Sequence, residues 1–239
     1  MEAVEREAEA FLERTPYRFV RQEKLREFKH LFRAFVYEQP PTALRRAVGG
    51  VLQDLRNGLD NLVFQLAIIE TKADPPPDED GIAFPIFIDG KVFKKKSVRN
   101  LSSIGAAPKR EIVDPQPFNR AKKLDPLWVL HRLAQDDKHK RPVILGAAIH
   151  GSAVRVHHMS GMVGFRDTTH YGPFKDNSIV AEVFARPGPN AELDMEFHLA
   201  ADIAFPKEGP AQGRPIREVL PELIAHVRSE VVPRFERFF

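Results

Sequence analysis

The chain has 239 residues, 43% hydrophobic and 29% charged, with a formal net charge of +3; this is an ordinary balance for a globular protein able to bury a core. No cysteine occurs, which excludes a disulfide framework and any thiolate metal site. Residues 1–13 lack the apolar centre of a signal peptide and no apolar run approaches the roughly 18–20 residues that span a bilayer, so a cytoplasmic protein with no membrane partner is expected.

Residues 2–14 predict a short helix with Val4, Ala8, Phe11 and Leu12 on one face, stopped by Thr15-Pro16. Residues 17–20 and 31–37 then read as two strands of a hairpin, the second rich in aromatic and β-branched side chains; the alternative reading makes 24–37 a helix. Pro40-Pro41-Thr42 opens the clearest element, a helix over 44–69. Val48, Val51, Leu52, Leu55, Leu59, Leu62, Val63 and Leu66 recur there at three- and four-residue steps and make one stripe. The proline-rich stretch 74–80 predicts a rigid exposed linker. From 81 to 119 the chain reads as irregular apart from a short strand over 83–88. Asp125 is a good N-cap and Pro126 a good first residue, so 126–137 predicts a second helix burying Leu127, Leu130, Leu133 and Ala134.

The period then changes. Residues 143–149, 153–159, 178–185 and 193–205 read as strands separated by Gly and Pro turns. A last amphipathic helix is predicted over 215–238, with Pro221 and Pro233 as points of kinking or breakage. The fold class is therefore α+β: a long central helix and a helix hairpin packed with an antiparallel sheet, and a C-terminal amphipathic helix. Residues 1–239 read as a single domain; any subdivision would fall between a helical part, 1–141, and a β-rich part with the last helix, 142–239.

Charge is distributed unevenly. Residues 91–141 hold 14 Lys and Arg against 5 Asp and Glu, while both flanking regions are net acidic. A basic segment of this kind is the footprint of a polyanion partner such as RNA or a nucleotide, or else a solvated surface whose charges never converge.

Two polar stretches border apolar faces. In the first, Arg56 and Asp60 stand i and i+4 at the edge of the helical stripe, with Asn57 beside them. They form either a half-buried structural pair or a site in which the Arg56 fork is offered to a phosphate. In the second, Asp136, Asp137, Lys138, His139 and Lys140 end the second helix. Lys138 and His139 suit the negative end of a helix dipole; alternatively His139 is a general base held by a neighbouring carboxylate. His150, His157, His158 and His170 lie in or between strands, and adjacent strand residues face opposite ways, so His157 and His158 do not share an ion. With no cysteine and no helical His-x-x-x-His spacing, no metal site and no cofactor are expected. Neither a Gly-rich phosphate loop nor a nucleophile elbow is present.

The run Leu55-Arg56-Asn57-Gly58-Leu59-Asp60-Asn61-Leu62, with Phe84-Pro85-Ile86, Gln116-Pro117-Phe118 and Asp137-Lys138-His139-Lys140 following in order, resembles a family of uncharacterised bacterial proteins, which brings no activity with it. The Arg56-Asn57 pair resembles, more distantly, the signature of the HEPN superfamily of nucleotide-binding helical domains. That resemblance implies a module that binds RNA, a nucleotide or another polyanion through Arg56 and Asn57; the two polar stretches and the basic 91–141 segment add Asp60, Asp137, Lys138 and Lys140 as candidate binding residues, and a homodimer is an admissible assembly. It also implies a metal-independent endoribonuclease as an alternative, with Arg56 stabilising phosphate charge. The superfamily's histidine position is Asn61 here, so His139 is the candidate base. A third reading makes both clusters structural and the protein a scaffold.

Overall fold

The structure is a computed structural model that describes residues 1–24, 27–139, 145–158, 161–166, 173–187 and 194–239. For 138–139, 147–158, 161–166, 185–187 and 194–201 it describes the backbone alone. The fold is α+β. The chain divides into two compact units, each built from two segments: 1–45 with 144–217, and 46–143 with 218–239.

The first unit opens with helix α1 (Glu2–Glu13), which buries Val4 and Phe11. Strands β1 (Tyr17–Lys24) and β2 (Lys29–Val36) follow as the expected antiparallel hairpin, in register from Tyr17 opposite Val36 to Lys24 opposite Lys29. Later strands extend it: β4 (Gly161–Arg166) and β5 (Ser178–Pro187) complete a four-stranded antiparallel sheet in the order β1-β2-β5-β4. A buried cluster packs Phe32, Ala34, Phe174, Val180, Ala181 and Val183 against Tyr17, Phe19 and Val36. The Phe11 ring meets Tyr17 edge-on at 5.9 Å, an arrangement aromatic quadrupoles favour. Strand β3 (Gly146–His158) pairs with β6 (Asp194–Ala204) in a separate two-stranded ribbon.

Two sequence expectations are corrected here. The strands read over 143–149 and 153–159 are one strand, β3, and the polar break between them is absorbed by a register shift between Ile149 and Gly151; residues 143, 144 and 159 lie outside the described residues. Strand β4 is an addition, because three glycine and methionine positions in its six residues give little alternation to read.

The second unit is built on α2 (Thr42–Thr71), the long helix. Val48, Leu52, Leu59, Val63 and Leu66 are buried on it, while Asp54, Asn61 and Gln65 are exposed. Helix α5 (Pro126–His139) begins at Asp125, whose Oδ1 accepts from Leu127 N at 2.9 Å, and it buries Leu127, Leu130, Leu133 and Ala134. Helix α6 (Ile216–His226) carries Pro221 inside it and passes into a π turn at Val227–Val231 and a 3₁₀ segment at Val232–Phe238. The single helix expected over 215–238 thus loses α geometry before Pro233, whose missing N–H cannot continue the ladder.

The region read as irregular contains two helices, α3 (Gly90–Asn100) and α4 (Ala106–Val113). Conversely, the strand expected over 83–88 is absent: the segment joins no sheet among the described residues. It is nonetheless deeply packed, with Phe84 fully buried and Ile86 3% exposed. Pro85 has no N–H to give a ladder, so the segment's remaining backbone groups find other partners.

Candidate functional site

Those partners are the motif side chains. Asp60 Oδ1 accepts from Phe84 N at 2.8 Å, and Arg56 Nη2 donates to Phe84 O at 2.6 Å. The same Nη2 also donates to Asp60 Oδ1 at 2.6 Å. One turn of α2 therefore presents a donor and an acceptor that meet the two backbone groups of one residue, as a neighbouring strand would. Gln116 also meets this segment's backbone, through groups of two different residues. Its Oε1 accepts from Phe87 N at 3.1 Å, while its Nε2 donates to Pro85 O at 2.7 Å and to Ile112 O at 3.0 Å. Gln116 is fully buried, and a buried amide is stable only with such partners.

This clip decides what Arg56 offers. Its side chain is 16% exposed; burial pulls its pKa below the usual guanidinium value, and the Asp60 charge opposes that shift. Nη2 is fully engaged and Nη1 is buried without a hydrogen-bond partner. The planar fork is turned into the protein rather than out to a phosphate.

Helices α2 and α5 lie side by side and antiparallel. Gln53 Nε2 donates to Ala134 O at 2.8 Å, and a Cβ on Gly49 would meet the Asp137 carboxylate at 2.9 Å. Gly49 is therefore the close-approach point that lets the end of α5 settle on α2. Asp137 belongs to that point. Arg56 lies seven residues, about 10 Å of helical rise, further along α2. Arg56 and Asp60 are thus brought together, Asp137 sits two turns away from them, and Asn57 is exposed. Lys138 and His139 occupy the last turn of α5; their side chains, and Lys140 altogether, lie outside the described residues, as do the side chains of His150, His157 and His158 and all of His170.

The histidine level with Arg56 is His131, which no sequence motif marks. Burial, with the Arg56 and Arg132 charges adding to it, lowers its pKa to about 4, so it is a neutral imidazole at pH 7. It stacks at a tilt on Trp128, ring centres 5.6 Å apart, and the Arg132 guanidinium lies 5.9 Å from the same indole. The signal that finds it is the antiparallel pairing: stepping from Gly49 to Arg56 on α2 corresponds to stepping back from Asp137 to His131 on α5.

The basic segment behaves differently from Arg56. On α3, Lys91, Lys94, Lys95, Lys96 and Arg99 are all exposed, and among the described residues no ion pair engages any of them. Only Phe93 and Ser97 are buried on this helix. Phe93 is held edge-on between Phe87 and Phe118, at 6.0 and 5.5 Å. Asp89 caps the helix, its Oδ1 accepting from Lys91 N at 2.7 Å and Val92 N at 3.2 Å, and Asn100 ties its far end to Gly81 O at 2.9 Å. Lys122 and Lys123 are likewise exposed. By contrast the arginines of the C-terminal 3₁₀ segment are spent on α4: Arg234 pairs with Asp114 and Glu111, and Arg237 with Glu111 at 2.5 Å.

Among the described residues, no cluster of three or more His, Asp and Glu is arranged to hold a metal ion, and no helix is long and apolar enough to cross a membrane. Comparison of the chain with family models, curated proteins and solved structures finds no match.

Proposed function

We propose that the protein is a polyanion-binding module of the HEPN-like kind, acting in the cytoplasm on RNA, a nucleotide or a related phosphate polymer, with α3 as its binding face. One observation carries this reading: five exposed cations on an eleven-residue helix form no ion pair among the described residues. Like charges at i and i+4 destabilise a helix by about 0.2–0.5 kcal/mol per pair, and Lys91 in the first turn opposes the helix dipole. A bound anion removes both penalties. Arg56, Asp60 and Gln116 contribute from behind, because the segment they clip runs directly into the Asp89 cap that starts α3. They are positioning residues rather than phosphate ligands.

The test is anisotropy of a labelled mixed-sequence RNA at low and physiological salt. Binding should weaken steeply with salt, since released counterions supply much of its free energy, and Lys91→Glu with Lys95→Glu should abolish it. No binding by the wild-type protein at the low-salt end would leave α3 a solvated surface and return the protein to the scaffold reading.

The endoribonuclease alternative names Arg56 and His139; the His139 side chain lies outside the described residues, and the candidate base that stands level with Arg56 on α5 is His131. Metal-independent cleavage of the same RNA, lost on His131→Gln, would favour it over binding alone.

A further inference from the structure

The arrangement of charges on α3 is more specific than a basic patch, and its meaning rests on the polyanion reading of that helix. At 100° per residue, Lys95 stands opposite the buried line of Phe93 and Ser97, and Lys91 and Arg99 stand about 40° to either side of it. Lys91, Lys95 and Arg99 form an i, i+4, i+8 row whose members are separated by roughly 6 Å of rise, close to the distance between neighbouring phosphates along one nucleic-acid strand. The row contains no acid. Asp89, at the start of the helix, is occupied by the Lys91 and Val92 N–H groups and bars an anion from the helix N-terminus itself. Outside Phe93, which is 6% exposed, α3 has no aromatic residue on which a base could stack.

We infer that α3 grips three successive phosphates of one nucleic-acid strand, one each on Lys91, Lys95 and Arg99, so that its ligand is a strand of at least that length taken without regard to base sequence. A free nucleotide offers one register of this row. An anionic lipid surface offers charges with no register at all.

The experiment is a length series of labelled oligouridylates, from a single phosphate to about eight, titrated at about 50 mM salt and then at rising salt. Affinity should climb steeply up to three phosphates and then rise only with the number of equivalent placements. The slope of log K against log salt should level near −2, about 0.7 per phosphate contacted. Lys95→Gln should weaken the longer strands about eightfold at 50 mM salt and flatten the slope by about 0.7, and oligocytidylate should bind as oligouridylate does. Equal affinity for one phosphate and eight, or a length dependence untouched by Lys95→Gln, would overturn the inference while leaving the polyanion reading standing. Binding to vesicles of anionic phospholipid but to no oligonucleotide would overturn it in favour of a lipid surface. Failure to bind oligonucleotide, vesicle and heparin alike would remove the polyanion reading with it.

Discussion

Replacing Gln116 tests the clip where burial is complete. Gln116→Ala removes three hydrogen bonds and leaves Phe87 N–H, Pro85 C=O and Ile112 C=O without their side-chain partner. A buried polar group left unsatisfied costs about 1–3 kcal/mol, an N–H more than a carbonyl, so a loss of about 3–5 kcal/mol is expected once the small cavity is added. For a chain of this length that lowers Tm by roughly 2–4 °C per kcal/mol. Gln116→Glu sharpens the test because it conserves volume. Its carboxylate still accepts from Phe87 but turns oxygen against the two carbonyls that Nε2 had served. The folded state then holds this carboxyl protonated, its pKa raised above the unfolded value of about 4.3. The penalty is therefore small below that pH, grows as pH rises through the raised folded value, and is largest at neutrality. Urea unfolding of wild type, Gln116→Ala and Gln116→Glu at pH 4 and pH 7 measures all of this. A cost below about 1 kcal/mol for the alanine variant, or a glutamate variant equally stable relative to wild type at both pH values, would refute the side-chain ladder.

The depressed pKa of His131 sets a second expectation: the unfolded chain binds a proton near pH 6.5 that the folded one resists until about 4. Stability is then fully present above 6.5 and falls through that window, by roughly 1–3 kcal/mol for this group; burial shifts His30 and His226 in the same direction. His131→Gln should flatten the fall in denaturation curves between pH 7 and 4, and an unchanged slope would count against a buried neutral imidazole. At Gly49, alanine gains about 1 kcal/mol of helix propensity but must displace the Asp137 carboxylate, 2.9 Å from its Cβ, so the two effects should offset and Gly49→Ala be near neutral by thermal unfolding. Gly49→Val, which forces α5 off α2, should lose about 1–3 kcal/mol.

The parts of the fold that sequence discloses are those whose signal is local. The stripe on α2 and the Asp125-Pro126 start of α5 each lie within a few residues, and both helices stand within two residues of where periodicity places them. The 83–88 segment misleads for the opposite reason. Its alternating apolar residues read as a strand, yet the groups that satisfy its backbone are side chains 24 to 31 positions away, and no local pattern names a partner at that distance. Helix α3 is hidden because its stripe is reduced to Phe93 and Ser97, too little for a period to register beneath a run of lysines. The extension of the β1-β2 hairpin by β5 joins residues about 150 apart, again beyond local reading. At the site, Arg56 and Asp60 are legible as a pair because i, i+4 spacing makes them one. What they hold is not legible, although Phe84-Pro85-Ile86 and Gln116 stand out as motifs in the same run. His139 draws attention through its charged neighbours, whereas His131 lies unmarked inside an apolar helix.

The division of labour between clip and binding face is tested most directly by Arg56→Ala, measured twice on one preparation: by urea unfolding, and by the salt dependence of RNA binding at a temperature where the variant is folded. Losing Arg56 strips Phe84 O of its donor and takes from Asp60 the cation one turn away, so unfolding free energy should fall by about 2–4 kcal/mol, less than the 3–5 kcal/mol of a fully buried broken pair because Asp60 is one-third exposed. The slope of log K against log salt should be unchanged, since no phosphate contact is lost. A slope flattened by about 0.7 with stability intact would make Arg56 a phosphate ligand and contradict the account.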